Sequence, residues 1–178
     1  MIQILKNPKT ESYVRAKETA LSHTLALHWI PSDTGFFYYS HILISRPEFL
    51  YYSHPVSAHA DLFVAAIGET LNANNLADNG FHVIRAAINV VHPSDGNQFS
   101  EPHVDHSFPH VNLVMYFTDV GGRTFCEKKE HDPQEDDIIL FKGEHYMERP
   151  KKDRRVILVS TLQIYLSLIH ISEPTRPS

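Results

Sequence analysis

The segment Glu101-Pro102-His103-Val104-Asp105-His106 sets a histidine and an aspartate two residues apart. On an extended chain, residues i and i+2 project to the same side, so His103 and Asp105 can grip one ion. A second imidazole would complete two histidines and one carboxylate on one face of an octahedron. That set leaves three positions open and suits non-haem iron(II). The best-placed third ligand is His145, which follows Asp137-Ile138-Ile139-Leu140-Phe141-Lys142-Gly143, a buried-type strand that would deliver it to a sheet end. His131 competes poorly, because it sits in Glu127-Lys128-Lys129-Glu130-His131-Asp132, read as a charged loop with a solvated ring.

A His-x-Asp triplet is weak by itself in a chain with 13 histidines, where an accidental match is unsurprising. His59-Ala60-Asp61 is such a match. It opens a predicted helix, where i and i+2 face apart and Asp61 has an ordinary task at the helix N-terminus. The metal pair is therefore placed at His103 and Asp105.

The elements that must position these residues follow from periodicity. Over residues 11–29, Val14, Leu21, Leu25 and Trp29 mark one face of an amphipathic helix that Pro31 ends. Residues 36–44 are aromatic and β-branched and read as a strand closed by Arg46-Pro47. In a second helix Ser57 and Asp61 suit the first turn, Phe63, Ile67 and Leu71 line one face, and residues 72–75 end it. Residues 82–91, 111–118, 138–142 and 155–164 are short strands separated by Pro, Gly and Asp clusters. This pattern predicts a mainly β fold with flanking N-terminal α-helices, a jelly roll in which two sheets share one core.

From about Val83 to Ile164 the chain resembles the 2-oxoglutarate/iron(II) oxygenase superfamily, particularly its prolyl-hydroxylase-like branch and short phage and environmental relatives. The parts come in order: His103-Val104-Asp105, the strand Leu113-Val114-Met115-Tyr116-Phe117, Gly121-Gly122-Arg123-Thr124-Phe125, Asp136-Asp137-Ile138-Ile139-Leu140-Phe141, His145 and Arg155. The resemblance implies a double-stranded β-helix whose iron is held by His103, Asp105 and His145. It implies 2-oxoglutarate as cosubstrate with O2, decarboxylation to succinate coupled to hydroxylation of a C–H bond, and stimulation by ascorbate. In that family an Arg or Lys about ten residues past the distal histidine binds the far carboxylate of 2-oxoglutarate, which points to Arg155. A planar guanidinium pairing bidentately with a carboxylate in a dry barrel agrees with this. Strand alternation lets only one of Arg154 and Arg155 face inward, and Arg155 is favoured. Tyr116 stands where relatives add a phenol to the same carboxylate, and Asn89 where they place an amide near the cofactor; core packing and backbone satisfaction are the plain alternatives. His106 and His110 could shape the surroundings of the metal or touch substrate. Gly121-Gly122 reads as a tight turn.

The resemblance suggests a peptidyl, proline-like residue as substrate, then an alkylated nucleobase, then a small metabolite. A cupin-like metal-binding jelly roll without oxygen chemistry is the rival from another class, and it gives no reason for Arg155.

Composition bounds the rest. With 178 residues the chain suits one domain, with a helical part over about 1–80 and a jelly-roll core over about 81–165. Its 16 Lys and Arg against 21 Asp and Glu give a net charge of -5, which disfavours broad capture of nucleic acid or an anionic membrane. Arg46, Lys151, Lys152 and Arg154 could still form a local phosphate-contacting edge. Cys126 is the only cysteine, so a reducing, cytoplasmic setting is expected, and no apolar run reaches the length of a membrane span. The N-terminal stretch reaches Asn7-Pro8 too soon for a signal peptide. Residues 166–176 match the in-frame translation of a transposon-end sequencing adapter. Residues 166–178 are therefore expected to be non-native, with the true C-terminus lost beyond about Tyr165. Oligomeric state is not legible.

Overall fold

Thr10 starts the first helix by accepting the Tyr13 N–H on its side chain, and Glu11 in the first turn complements the helix dipole. The computed structural model describes residues 2–32, 34–50 and 53–165, so the expectation for residues 166–178 lies outside the described residues. In chain order the elements are β1 (Gln3–Leu5), α1 (Glu11–Leu21), β2 (His28–Ile30), β3 (Tyr38–Ile44), α2 (Pro47–Leu50), α3 (Ala60–Ala73), β4 (Phe81–Val91), β5 (Val111–Tyr116), β6 (Thr124–Cys126), β7 (Lys129–His131), β8 (Ile138–Phe141), β9 (His145–Met147) and β10 (Arg155–Ile164).

The strands form a seven-stranded sheet in the order β1-β8-β5-β10-β4-β3-β2 and a three-stranded sheet in the order β7-β6-β9. Bridges from Phe99 to Glu148 and from His103 to His145 lay the chain before Asp105 alongside β9. Alternation along the long strands gives the large sheet two distinct faces. Ile88, Val90, Leu113, Met115, Val156 and Leu158 pack with Phe63, Ile67 and Leu71 of α3 and Tyr13, Ala16 and Ala20 of α1. The alternate residues Val114, Tyr116, Ile157 and Val159 join Cys126 of the small sheet in a second core between the sheets. The result is the expected jelly roll, mainly β, with its helices on the outer face of one sheet.

The first helix is shorter than predicted and turned to another face. It ends at Leu21, and residues 28–30 form an edge strand instead, registered on β3. The buried stripe is Tyr13, Ala16 and Ala20, whereas Val14 and Trp29 are exposed. Two alanines let the helix lie close to the sheet, and Tyr13 reaches Phe117, with ring centroids 6.0 Å apart. The large residues that looked like a stripe were the weaker signal. The second predicted helix has Phe63, Ile67 and Leu71 fully buried and Asp61 in its first turn, although it starts at Ala60 and so leaves Ser57 ahead of that turn.

Charged and left-handed positions tie the small parts down. Asp136 has a positive φ of 71° and accepts from the Tyr13 hydroxyl at 2.8 Å while pairing with Lys9 and Lys17. Burial alone would raise its pKa, but these partners outweigh that and pull it down to about 2. Gly121 and Gly122 have φ of 73° and 89°. A Cβ on Gly122 would stand 2.7 Å from the Arg149 carbonyl oxygen, so this turn needs both the left-handed backbone and the missing side chain.

Candidate metal centre

His145 opens β9, and its N–H and C=O exchange hydrogen bonds with those of His103 in an isolated bridge, both at 3.0 Å. The two imidazoles therefore stand side by side, with ring centroids 4.5 Å apart. Asp105 follows two residues after His103. One ligand atom from each of His103, Asp105 and His145 lies within 4.8 Å of the others, and among the described residues no other cluster of three such groups occurs.

The hydrogen bonds around the triad leave metal-facing atoms free. Nδ1 of His103 faces the Glu101 carbonyl at 2.9 Å, and Nδ1 of His145 faces that of Gly143 at 3.2 Å. A carbonyl can only accept, so both rings carry their proton on Nδ1 and turn the Nε2 lone pair inward. Oδ1 of Asp105 accepts from Arg46 Nη2 at 3.1 Å and Arg85 Nη1 at 3.0 Å. Its Oδ2 is buried, has no hydrogen-bond partner among the described residues, and lies 3.5 Å from Nε2 of His145. A buried carboxylate oxygen without a donor is costly, and a cation here would satisfy it. Burial raises the Asp105 pKa, but Arg85, His145, Arg46 and His103 outweigh it and hold the carboxyl ionised. Burial lowers that of His145 and favours the neutral imidazole that ligates metals. The residues present thus fit a divalent cation.

The rival positions lie elsewhere. His59 caps α3 with its ring 6.1 Å from that of His41. The expectation of a solvated His131 is corrected: residues 129–131 form β7, and the ring is buried against Tyr116, with Nε2 3.1 Å from Asp137 Oδ2. The charged neighbours belong to a hairpin whose inward position His131 fills. His106 is likewise buried between Glu48 and Thr161 Oγ1, and Nδ1 of His110 faces the Phe108 carbonyl.

The triad faces a cavity of about 590 Å³ whose wall includes Asn89, Val91, Ile157, Val159 and Arg155. Arg155 is wholly buried. Its Nη1 donates to the carbonyls of Gly122 at 2.9 Å and Glu148 at 2.8 Å, and Nε has no partner among the described residues. The Glu148 carboxylate is engaged by Arg123 at 3.0 Å. Burial brings the Arg155 pKa down to about 10, so a cation remains in the wall with two carbonyls and, at 3.7 Å, the Met147 sulfur as its partners. A carboxylate would satisfy that arrangement. Arg154 turns away, its Nη2 3.4 Å from the Leu21 carbonyl.

The other two predicted residues differ in placement. Asn89 lines the cavity and accepts from Ser40 Oγ at 2.8 Å. Tyr116 is fully buried with its hydroxyl on Thr124 Oγ1 at 2.6 Å, its pKa raised by burial to about 12, and it is not among the residues lining the cavity.

Sequence reasoning missed Arg85, and placed Arg46 on a surface edge where it instead lines the cavity. Arg85 lies four residues before Asn89 on one strand, so alternation from that inward residue could have found it. Arg149 was also missed. Its guanidinium donates to the carbonyls of Gly35, His92 and Asn97 and stacks on Phe36 at 4.4 Å, tying together loops beside the cavity.

No family model matches the chain, and no curated protein does. Solved structures do. An oxidoreductase of the 2OG-Fe(II) oxygenase family from Burkholderia pseudomallei aligns over 91% of this chain and 84% of its own, with 13% identity and a TM-score of 0.66. A prolyl-4-hydroxylase from Pseudomonas putida aligns over 93% and 92%, with 18% identity and a TM-score of 0.54. A viral collagen prolyl hydroxylase from Paramecium Bursaria Chlorella virus-1, solved as a 2OG complex, aligns over 93% and 96%, with 13% identity and a TM-score of 0.55. At these identities the likeness is one of fold, the double-stranded β-helix.

Proposed function

We propose that this chain is a 2-oxoglutarate- and iron(II)-dependent dioxygenase that hydroxylates a C–H bond while converting 2-oxoglutarate to succinate. The observation that carries the reading is one cavity holding two unmet demands, the bare Oδ2 of Asp105 beside two Nε2 lone pairs and the uncompensated Arg155. The first calls for a cation and the second for a carboxylate. Iron(II) with 2-oxoglutarate would meet both and supply oxygen activation and the oxidising equivalents.

The protein's own part is to bind, orient and exclude water. His103 and His145 present neutral Nε2 atoms, and Asp105 presents Oδ2 while two guanidiniums hold Oδ1. Arg155 receives the far carboxylate through the donors its carbonyl partners leave over. Val91, Ile157 and Val159 make the wall between apolar, which strengthens each of these polar contacts. No side chain is assigned as a general base.

For the substrate, the likeness to prolyl hydroxylase structures supports a peptidyl, proline-like residue. The nucleobase alternative loses support because Arg46 is drawn into the cavity away from Lys151 and Lys152. A cupin-like binder explains the triad but gives no partner for the unpaired Nε of Arg155. Among the described residues no helix is long and apolar enough to cross a membrane, and a reducing cytoplasmic setting suits a ferrous site. The test is succinate formation by purified protein supplied with iron(II), ascorbate and 2-oxoglutarate. Succinate that depends on oxygen and on Asp105 supports the reading; its absence with iron bound overturns it.

A further inference from the structure

Three guanidiniums stand in the cavity wall, those of Arg46, Arg85 and Arg155, against two carboxylates, Asp105 and the exposed Glu101. Iron(II) and the 2-oxoglutarate dianion cancel each other, so loading the site as proposed leaves this excess in place. It is concentrated at one pole. Arg155 registers opposite Val91 and Thr161 opposite Arg85, so the two arginines stand six residue steps apart along the β4–β10 pairing, roughly 20 Å of strand at ~3.3 Å per residue. The far carboxylate that meets Arg155 is therefore remote from Arg85, which bonds Asp105 beside the metal position.

At the Arg85 pole two cations share one anion atom. Arg46 also donates from Nη1 to the Asp105 carbonyl at 3.1 Å, while the Nη1 bond to Asp105 is the one hydrogen bond of Arg85 among the described residues. Glu48 acts on both guanidiniums through space, but it is hydrogen-bonded to His106 and is not among the residues of the cavity wall. A guanidinium carries five donors in a fixed fork, and one such group is enough to hold Oδ1. The Arg85 side chain is 12% exposed and stands in the cavity wall. Two like charges beside a cation site call for a further anion.

We propose that the substrate presents an oxyanion, a carboxylate or a phosphate, to Arg85 and Arg46, at the pole of the cavity opposite Arg155. This rests on the dioxygenase reading and narrows its substrate to acids. The oxyanion would anchor the molecule beside the metal and so choose which C–H bond is presented.

The test uses the full chain loaded with Mn(II) under nitrogen and reads paramagnetic broadening of probe protons. The probes are matched pairs: L-proline and L-prolinamide, butyrate and butyramide, benzoate and benzamide, phenyl phosphate and phenol. Each is titrated with and without saturating 2-oxoglutarate. The expected result is that acids bind at least about tenfold tighter than their neutral partners and keep that advantage when 2-oxoglutarate is saturating. An advantage confined to phenyl phosphate identifies phosphate as the source, and one confined to the other pairs identifies carboxylate. Arg46→Gln should remove most of the advantage, and Mn(II) resonance confirms that the metal is still held, because Arg85 still anchors Asp105. Arg85→Gln is the companion variant, and Arg46→Gln decides if it does not fold. Equal broadening within every pair, an advantage abolished by 2-oxoglutarate, or one that survives Arg46→Gln overturns the assignment. Failure of 2-oxoglutarate itself to bind would refute the dioxygenase reading separately, since the acid and amide comparison is also made without it.

Discussion

His103 and His145 pair backbone to backbone, each N–H donating to the other's carbonyl at 3.0 Å. Two candidate ligands far apart in sequence are thus fixed by one isolated bridge onto β9, and Asp105 follows His103 at i+2. The candidate site therefore joins a strand, which carries His145, to a loop segment, which carries His103 and Asp105.

Replacing His103, Asp105 or His145 by alanine should each weaken Mn(II) binding at least about tenfold, whereas His59→Ala and Asp61→Ala should leave it unchanged. Isothermal calorimetry measures both sets. Asp105→Glu should fall between, because one extra methylene misplaces the carboxylate in a site that tolerates errors of ~0.5 Å. Normal affinity in Asp105→Ala would remove the triad from consideration.

Much of this was legible in the sequence, and what was not has physical causes. The long strands and α3 announced themselves because both faces of a buried strand are apolar and Phe63, Ile67 and Leu71 recur at helical spacing. Strands β1, β2, β6, β7 and β9, of three residues each, carry too few residues for any period. Helix α1 was misread because Tyr13 and two alanines, not Val14 and Trp29, make the contact. Arg85 escaped notice because a charged residue in an apolar strand gives no sign of its partner until Asp105 is brought beside it.

Gly122→Ala should cost about 2–3 kcal/mol, from a left-handed backbone and a Cβ driven into the Arg149 carbonyl. Gly121→Ala meets only the flexible Lys151 side chain at 3.5 Å and should cost about 1 kcal/mol. Thermal unfolding of the two variants should separate them in that order. Because the Gly122 carbonyl holds Arg155, Gly122→Ala should also weaken 2-oxoglutarate binding.

Asp136 sets part of the acid limit of stability. Its folded pKa of about 2 lies below the unfolded value of about 4. Its contribution is therefore fully present above pH ~4 and is lost as pH falls through ~2. Partial exposure of Asp136 and Lys9 screens the pair, so the contribution is about 1–2 kcal/mol. Asp136→Asn, which tolerates the same left-handed backbone, should lower Tm at pH 7 and flatten its fall between pH ~4 and ~2. Parallel pH profiles for wild type and variant would contradict this.

The most direct measurement of the central claim is calorimetric titration of 2-oxoglutarate under nitrogen, with Mn(II) in place of iron, on wild type, Arg155→Ala, Arg155→Lys and Arg154→Ala. Loss of the charge-assisted contact at Arg155 is worth ~1.5–3 kcal/mol, so affinity should fall at least about tenfold in Arg155→Ala. Arg155→Lys keeps the charge without the fork and should be intermediate. Arg154→Ala, whose native side chain reaches the Leu21 carbonyl, should match wild type, and without Mn(II) the affinity should drop throughout. Equal affinity in wild type and Arg155→Ala, or no binding of 2-oxoglutarate to the Mn(II)-loaded wild type, would contradict the account.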